Sequence, residues 1–210
     1  MNARHSAIRV LAVDDHPLLR EGIASLLAGQ ADLNLVAEAS NGREAVEQFR
    51  AHRPDVTLMD LQMPEMDGVE AMIAIRAEFP SARIIVLTTY VGDAQVLRAL
   101  EAGAQAYLLK GVLRKELPDA IRLVHAGHKR ILPEVATTLA EHAADEALSL
   151  REIEVLKMIA GGNANKMIAA QLSITEETVK GHVKNILAKL AANDRTHAVT
   201  IGLKRGIIDL

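Results

Sequence analysis

The N-terminal part of the chain alternates short apolar runs with amphipathic helical patterns, and it does so five times. The predicted strands cover residues 8–13, 34–39, 55–59, 83–87 and 104–109, and the predicted helices cover residues 17–28, 43–51, 69–78, 94–102 and 113–125. Because these runs are continuously apolar, they indicate strands buried on both faces of a parallel sheet. Five such units predict a doubly wound α/β domain with strand order 2-1-3-4-5, whose ligands bind beyond the carboxyl ends of the strands.

The last part of the chain is predicted to be all-helical. Ser149 and Glu152 have the spacing of a capping box, Gly161 and Gly162 end the helix that it opens, and Thr175 is a candidate cap for a later helix. The four predicted helices cover residues 151–160, 166–171, 176–190 and 195–205. The pattern is weak just before them, so we expect an N-terminal domain, a linker and a C-terminal domain at residues 1–127, 128–146 and 147–210.

Composition limits the cellular compartment and the kinds of site expected for this chain. It contains no cysteine, which excludes disulfides and thiolate metal sites and fits a reducing cytosol. No apolar run reaches the ~18 residues of a membrane span, and no signal-peptide pattern opens the chain, so we expect a cytoplasmic protein. Residues 1–145 carry 15 basic and 20 acidic side chains, whereas residues 146–210 carry 9 and 7. This asymmetry is a weak indication of separate partners for the two parts.

Five polar side chains fall where the predicted strands end. Asp14 and Asp15 follow the first strand, Asp60 the third, Thr88 the fourth and Lys110 the fifth. Crowded carboxylates repel one another, and Mg²⁺ relieves that repulsion, because it binds carboxylates, water and phosphate oxygens. A lysine and a hydroxyl opposite would hold the remaining phosphoryl oxygens. Each residue alone has an ordinary structural explanation, but together they predict an aspartyl-phosphate site.

Four segments carry a family resemblance: residues 13–16 (VDDH), 59–68 (MDLQMPEMDG), 87–89 (LTT) and 103–110 (GAQAYLLK). They closely resemble the receiver domain of two-component response regulators, over about residues 7–127, which implies a flavodoxin-like fold. The resemblance implies that Asp60 accepts a phosphoryl group from a sensor histidine kinase. It also implies that Asp15, Asp60 and the backbone carbonyl of Gln62 bind Mg²⁺, with Asp14 acting through water.

The same resemblance implies a conformational switch. Thr88 and Lys110 would contact the phosphoryl oxygens, and Thr88 would move toward them while Tyr107 turns inward. Gly111 departs from the family, because many receivers have proline after this lysine. The bulky ring of Tyr90, two residues past Thr88, is expected to exclude water and slow hydrolysis of the phosphoaspartate.

The third C-terminal helix carries two distinct faces. Its apolar stripe consists of Val179, Val183, Ile186, Leu187 and Leu190, while Lys180, Lys184 and Lys189 lie on another face. The lysine face is either a solvated side of a helical bundle or a recognition surface for DNA. Gly181 costs about 1 kcal/mol of helix stability relative to alanine, which reflects either a close approach to DNA or a neutral substitution.

Residues 150–156 (LREIEVL), 165–169 (NKMIA) and 178–190 (TVKGHVKNILAKL) resemble the LuxR-type helix-turn-helix of NarL/FixJ response regulators. The resemblance implies a four-helix domain that binds double-stranded promoter DNA as a homodimer, with RNA polymerase as a possible partner. It places Lys180, Gly181 and Lys184 toward bases. The residues implied nearer the DNA backbone are Thr178, His182, Lys189, Asn165 and Lys166, and those implied in dimerisation lie around Val199 and Leu203.

Three functions from different classes compete on the sequence. The first is a phosphorylation-switched transcription regulator, in which the receiver catalyses only its own phosphorylation and dephosphorylation. The second is a regulator that works without phosphorylation. The third is an aspartate-nucleophile phosphohydrolase, which usually has an Asp-x-Asp pattern on its first strand, whereas Asp14-Asp15-His16 stands here. No histidine is expected to join the carboxylates as a metal ligand.

Overall fold

The computed structural model describes residues 6–89, 93–130 and 146–208. Over these ranges the chain forms two compact units, one N-terminal and one C-terminal, each with a hydrophobic core of its own. Among the helices in the described ranges, none combines the length and the apolar character needed to cross a membrane.

The N-terminal unit is built on a five-stranded parallel sheet. Its strands are β1 (Ile8–Val13), β2 (Leu33–Ala39), β3 (Val56–Asp60), β4 (Ile84–Thr88) and β5 (Ala106–Leu109). The strands lie in the order β2-β1-β3-β4-β5, and every neighbouring pair is parallel. The predicted α/β fold and strand order are therefore confirmed.

The helices of this unit follow the strands in turn. They are α1 (Pro17–Ala28), α2 (Gly42–His52), α3 (Gly68–Glu78), α4 (Asp93–Glu101) and α5 (Leu113–His125), and a short 3-10 helix (Lys110–Val112) precedes α5. The predicted ends of β3 and β4 were one residue short. Asp60 pairs with Leu87 on β4, and Thr88 pairs with Leu109 on β5. This cross-strand pairing extends β3 as far as Asp60 and β4 as far as Thr88.

Four of the five strands, β1, β3, β4 and β5, form the buried part of the sheet. All residues of β3 and β4 are buried, and so are nearly all of β1 and β5. In contrast, the edge strand β2, which pairs with β1, is largely half-buried. The expectation of strands covered on both faces is therefore wrong for β2 and correct for the strands that carry the polar residues.

Over residues 146–208 the C-terminal unit is all-helical, as predicted. Its helices are α6 (Leu150–Ala160), α7 (Asn165–Leu172), α8 (Glu176–Lys189) and α9 (Arg195–Lys204). The capping box is confirmed, because Ser149 and Glu152 each accept from the other's backbone N–H. Thr175 caps α8 by accepting from the N–H of Thr178. The fully or almost fully buried side chains at the centre are Val155, Leu156, Ile168, Val179 and Ile186.

Hydrogen bonding to β5 continues past the predicted end of the first domain. The N–H of Arg130 donates to the carbonyl of Gln105 at 2.8 Å, and the N–H of Tyr107 donates to the carbonyl of Arg130 at 3.3 Å. Residues 131–145 of the predicted linker lie outside the described residues. The boundaries at 127 and 147 stay predictions.

Candidate functional site

Asp14, Asp60 and Lys110 meet at the carboxyl edge of the sheet. Lys110 Nζ lies 2.7 Å from Asp14 Oδ2 and 2.7 Å from Asp60 Oδ2. The contact with Asp60 is a hydrogen bond, whereas the contact with Asp14 is an ion pair without hydrogen-bond geometry. Both carboxylates are almost completely buried, with residue exposures of 0% and 3%. One lysine thus neutralises one oxygen of each of two buried acids.

The electrostatics of this trio follow from burial. Burial raises the pKa of Asp60, and neighbouring Asp14 adds to the rise, while the hydrogen bond and charge of Lys110 offset only part of it. Burial lowers the pKa of Lys110, but its close contacts with the carboxylates of Asp14 and Asp60 outweigh that effect and leave it raised. Lys110 therefore stays positively charged, and any additional positive charge nearby would stabilise the ionised form of Asp60.

Asp15 and His16 complete a cluster beside Asp14. The Nδ1 atom of His16 lies 2.6 Å from Asp15 Oδ1 and 3.3 Å from Asp14 Oδ1. One potential ligand atom from each of Asp14, Asp15, His16 and Asp60 lies within 4.8 Å of all the others. The expectation that no histidine would join the carboxylates is therefore wrong. The sequence does place His16 directly after the acidic pair, and that adjacency was the signal available.

The oxygens of this cluster suit a hard divalent cation. The Oδ1 atom of Asp15 is buried and accepts no hydrogen bond in the structure, and its contact with His16 Nδ1 at 2.6 Å is an ion pair, so this oxygen is a candidate ligand atom for a cation. Lys110 contacts the Oδ2 atoms of Asp14 and Asp60, whereas their Oδ1 atoms accept from the backbone N–H groups of His16 and Gln62. A few carboxylate oxygens completed by water and phosphate oxygens are the usual ligands of Mg²⁺. The residues present therefore fit the metal that the family implies.

Backbone packing fixes the position of Asp60. A Cβ atom at Gly68 would overlap the carbonyl oxygen of Asp60, so only glycine allows the start of α3 to come this close. The N–H of Gly68 donates to the carbonyl of Leu61 at 3.1 Å. The N–H of Gln62 donates to Asp60 Oδ1 at 3.3 Å, and the Gln62 residue is exposed. The loop after β3 is thus held against the acid.

Thr88 and Tyr107 lie on adjacent strands and are hydrogen-bonded to each other. The ring of Tyr107 is 0% exposed, and Thr88 is 4% exposed. Burial raises the pKa of Tyr107 to about 12, so its hydroxyl stays protonated. The ring lies inside the unit in this conformation, and the movement of Tyr107 during switching stays a prediction. Tyr90, the expected water shield, lies outside the described residues.

Helix α8 presents an exposed face next to its buried stripe. Thr178, Lys180, Gly181 and Lys184 are exposed, and His182 is half-buried. Thr178 lies in the first turn of this helix, where its hydroxyl contacts that of Thr175 at 2.8 Å. Lys180 makes an ion pair with Glu177 at 3.2 Å, but an exposed pair of this kind is weak and exchanges easily for a phosphate or base.

Lys189 does not belong to that exposed face. Its Nζ atom donates to Glu152 Oε2 at 3.0 Å and to the carbonyl of Ala147 at 3.2 Å, and it lies 3.2 Å from Glu146 Oε1. The hydrogen bond to Glu152 raises the pKa of Lys189, whose side chain is only 17% exposed. The expectation that Lys189 contacts DNA is therefore corrected: its charge neutralises a buried acid at the start of α6.

The other residues implied in binding lie on α7 and α9. Lys166 is exposed and Asn165 is half-buried, both in the first turn of α7. Val199 and Leu203 are half-buried on α9, where they pack against the core of their own unit. Their partial exposure leaves a strip of apolar surface, and their part in dimerisation stays a prediction.

A doubly wound sheet with a lysine-bridged carboxylate pocket, together with a helical unit containing a helix-turn-helix, defines the class of response regulators. Residues 10–122 match the family described as "Response regulator receiver domain", and residues 146–201 match the family described as "Bacterial regulatory proteins, luxR family". The chain belongs to this family: it is a DNA-binding response regulator of the NarL/FixJ type, with a receiver domain and a LuxR-type helix-turn-helix.

Similar proteins extend over the whole chain. The response regulator protein VraR of Staphylococcus aureus is 41% identical over 206 residues, which cover 96% of this chain and 99% of VraR. A crystal structure of the response regulator ChrA, from a heme-sensing two-component system, is 38% identical with a TM-score of 0.58, covering 97% of this chain and 100% of that chain. A structure of an RcsB–DNA complex is 26% identical with a TM-score of 0.68, covering 95% of this chain and 99% of that chain.

Proposed function

We propose that a sensor histidine kinase phosphorylates Asp60 and that this modification controls dimerisation and promoter binding by the C-terminal unit. The observation that supports the proposal most strongly is the contact of Lys110 with both Asp60 and Asp14 in a buried pocket. Such a pocket holds a carboxylate nucleophile next to a fixed cation, which is the arrangement that phosphoryl transfer needs.

In the proposed step, an Asp60 carboxylate oxygen attacks the phosphorus of the kinase phosphohistidine. The new P–O bond forms as the P–N bond breaks, and the departing imidazole takes a proton. Lys110, already 2.7 Å from Asp60 Oδ2, neutralises charge on the transferred group, and the hydroxyl of Thr88 donates to one of its oxygens. The receiver thereby catalyses only its own phosphorylation and dephosphorylation.

Mg²⁺ is the proposed cofactor. Asp15, Asp60 and the backbone carbonyl of Gln62 would hold it, and Asp14 would act through water. When bound, the ion neutralises negative charge on the phosphoryl oxygens. The buried Oδ1 atom of Asp15, which accepts no hydrogen bond, supports this assignment.

The phosphoryl group would change the preferred hydrogen-bond partner of the Thr88 hydroxyl. The hydroxyl of Thr88 now bonds with Tyr107, and a doubly charged phosphoryl group offers it a stronger, charge-assisted partner. Tyr107 would lose that hydrogen bond while staying buried. We propose that this exchange between Thr88 and Tyr107 is the switch, with the receiver passing to a form that dimerises.

The exposed face of α8 would read promoter DNA in the cytoplasm. In this proposal Lys180, Gly181 and Lys184 face bases. The residues proposed nearer phosphates are Thr178, His182, Asn165 and Lys166, and those proposed in the dimer contact are Val199 and Leu203. Two copies would supply enough phosphate contacts for a domain of modest net charge, and RNA polymerase is the proposed downstream partner.

Phosphoryl labelling tests the first half of the proposal. Wild-type protein and Asp60→Asn are incubated with radiolabelled acetyl phosphate and Mg²⁺, and only the wild type should retain label. Equal labelling would refute Asp60 as the acceptor. Promoter control that persists unchanged in the Asp60→Asn protein would favour a regulator that works without phosphorylation, and sustained release of phosphate over many turnovers would favour a phosphohydrolase.

DNA binding tests the second half. The affinity of the full chain for duplex DNA is measured across salt concentrations, with and without phosphorylation, and compared with that of residues 147–210. Tighter binding by the fragment than by the unmodified chain would indicate that the receiver inhibits the helix-turn-helix. Unchanged affinity after phosphorylation, in both dimerisation and DNA assays, would contradict the proposed switch.

A further inference from the structure

His16 lies at the carboxylate cluster in a position that its helix does not require. It is the N-cap residue of α1, yet its side chain makes no capping hydrogen bond. Its local hydrogen bonds come from its backbone: the N–H donates to Asp14 Oδ1 at 2.9 Å, and the carbonyl accepts from the N–H groups of Leu19 and Arg20. The imidazole ring therefore does not cap α1, and its Nδ1 atom contacts the carboxylates of Asp14 and Asp15.

The contacts of Nδ1 are those of a potential metal ligand. It lies 2.6 Å from Asp15 Oδ1 and 3.3 Å from Asp14 Oδ1, in the set of four ligand atoms that lie within 4.8 Å of one another. Ion pairs account for both distances, but with the His16 side chain 70% exposed such pairs contribute little to holding the ring there. A cation shared by the three groups would use all of these contacts together.

We propose that His16 is a ligand that makes this cation site select imidazole-preferring divalent ions, such as Co²⁺ or Zn²⁺, over Mg²⁺. The inference rests on the proposed function, because it concerns the same cation site. Carboxylate oxygens and water suit Mg²⁺, whereas an imidazole nitrogen raises affinity for later transition metals and adds little for Mg²⁺. The receiver would then bind two classes of cation, with His16 deciding the preference between them.

Metal binding to the full chain tests this role directly. Calorimetry measures the affinities for Co²⁺ and Mg²⁺, and the absorption spectrum of bound Co²⁺ reports its ligands. His16→Ala should lower Co²⁺ affinity by about tenfold and change the Co²⁺ spectrum, while Mg²⁺ affinity changes by less than about twofold. The replacement removes no side-chain cap from α1.

Two variants complete the experiment. His125→Ala removes another exposed imidazole, from the last turn of α5, and should leave both affinities unchanged. Asp60→Asn should weaken the binding of both metals, because it removes a shared carboxylate.

If His16→Ala binds Co²⁺ with wild-type affinity and spectrum, His16 is an ion-pair partner only and the inference is overturned while the Mg²⁺ site stands. If His125→Ala produces the loss instead, Co²⁺ occupies a surface histidine and the inference is also wrong. If the wild type binds neither metal at a site sensitive to Asp60→Asn, both the inference and the proposed Mg²⁺ role are wrong.

Discussion

Replacing Gly181 with alanine separates the two explanations of a glycine inside α8. Gly181 is exposed, and a Cβ atom added there meets no atom within 4 Å. Alanine therefore fits without displacing anything in the protein. Because glycine in a helix interior costs about 1 kcal/mol relative to alanine, Gly181→Ala should raise the free energy of unfolding by about that amount. For a unit of this size the midpoint of thermal unfolding should rise by roughly 4–8 °C.

Binding to DNA should change in the opposite direction. If Lys180 and Lys184 flank a close approach to base edges, the added methyl group meets DNA where it met only solvent in the free protein. We expect specific affinity to fall about tenfold, which corresponds to ~1.4 kcal/mol. A more stable protein that binds more weakly isolates the effect at the interface, since loss of fold cannot explain it.

The assay pairs thermal unfolding with fluorescence anisotropy on a labelled duplex. The duplex is selected from a randomised pool by the wild-type protein, and all binding is measured at one salt concentration. Gly22→Ala is the matched control, because Gly22 is also exposed inside a helix with nothing within 4 Å of an added Cβ atom. It should stabilise the receiver and leave DNA affinity unchanged. If Gly181→Ala stabilises the protein and binds the duplex as tightly as the wild type, Gly181 does not approach the bases and our reasoning is wrong.

Three further predictions concern stability. Gly68→Ala should lower the free energy of unfolding by about 1–3 kcal/mol in urea titrations, because its Cβ would overlap the carbonyl oxygen of Asp60, and an unchanged urea midpoint would contradict that packing. Thr57→Val should raise that free energy by about 1 kcal/mol, because the buried hydroxyl has no hydrogen-bond partner among the described residues; a loss of stability would reveal a partner. Burial alone would raise the pKa of Glu152, but hydrogen bonds, first that from the backbone of Ser149, leave it below its ordinary value of 4.5. The stability from Glu152 is thus complete above pH 4.5 and is lost as the pH falls below it, so circular dichroism of the C-terminal unit should show an acid transition that Glu152→Gln reduces.

Much of the carboxylate pocket could be predicted from the sequence. Parallel strands place their carboxyl ends at one edge of the sheet, so Asp14, Asp60 and Lys110 were expected to meet although they are far apart along the chain. The structure brings these three groups within 2.7 Å contacts. Their assigned roles stay proposals, but their convergence followed from periodicity and topology alone.

Lys189 shows where sequence reasoning failed. It was grouped with Lys180 and Lys184, but at about 100° per residue it lies roughly 140° around the helix from Lys184 and roughly 180° from Lys180, so the helical period already separates it from their face. Its partner, Glu152, is 37 residues away, and only the packing of α8 against α6 brings the two together. Because Glu152 is buried, Lys189 is more stable when paired with its carboxylate than when exposed to solvent.

The sequence alone determined the elements of this protein and the edge of the sheet where its chemistry lies, because apolar periodicity and capping residues act over a few neighbouring positions. The tertiary structure decided which polar groups are partners: Lys189 with Glu152, and Tyr107 with Thr88. Those pairings depend on side-chain directions and on burial, which change the strength of charges and hydrogen bonds and arise only when distant segments pack together.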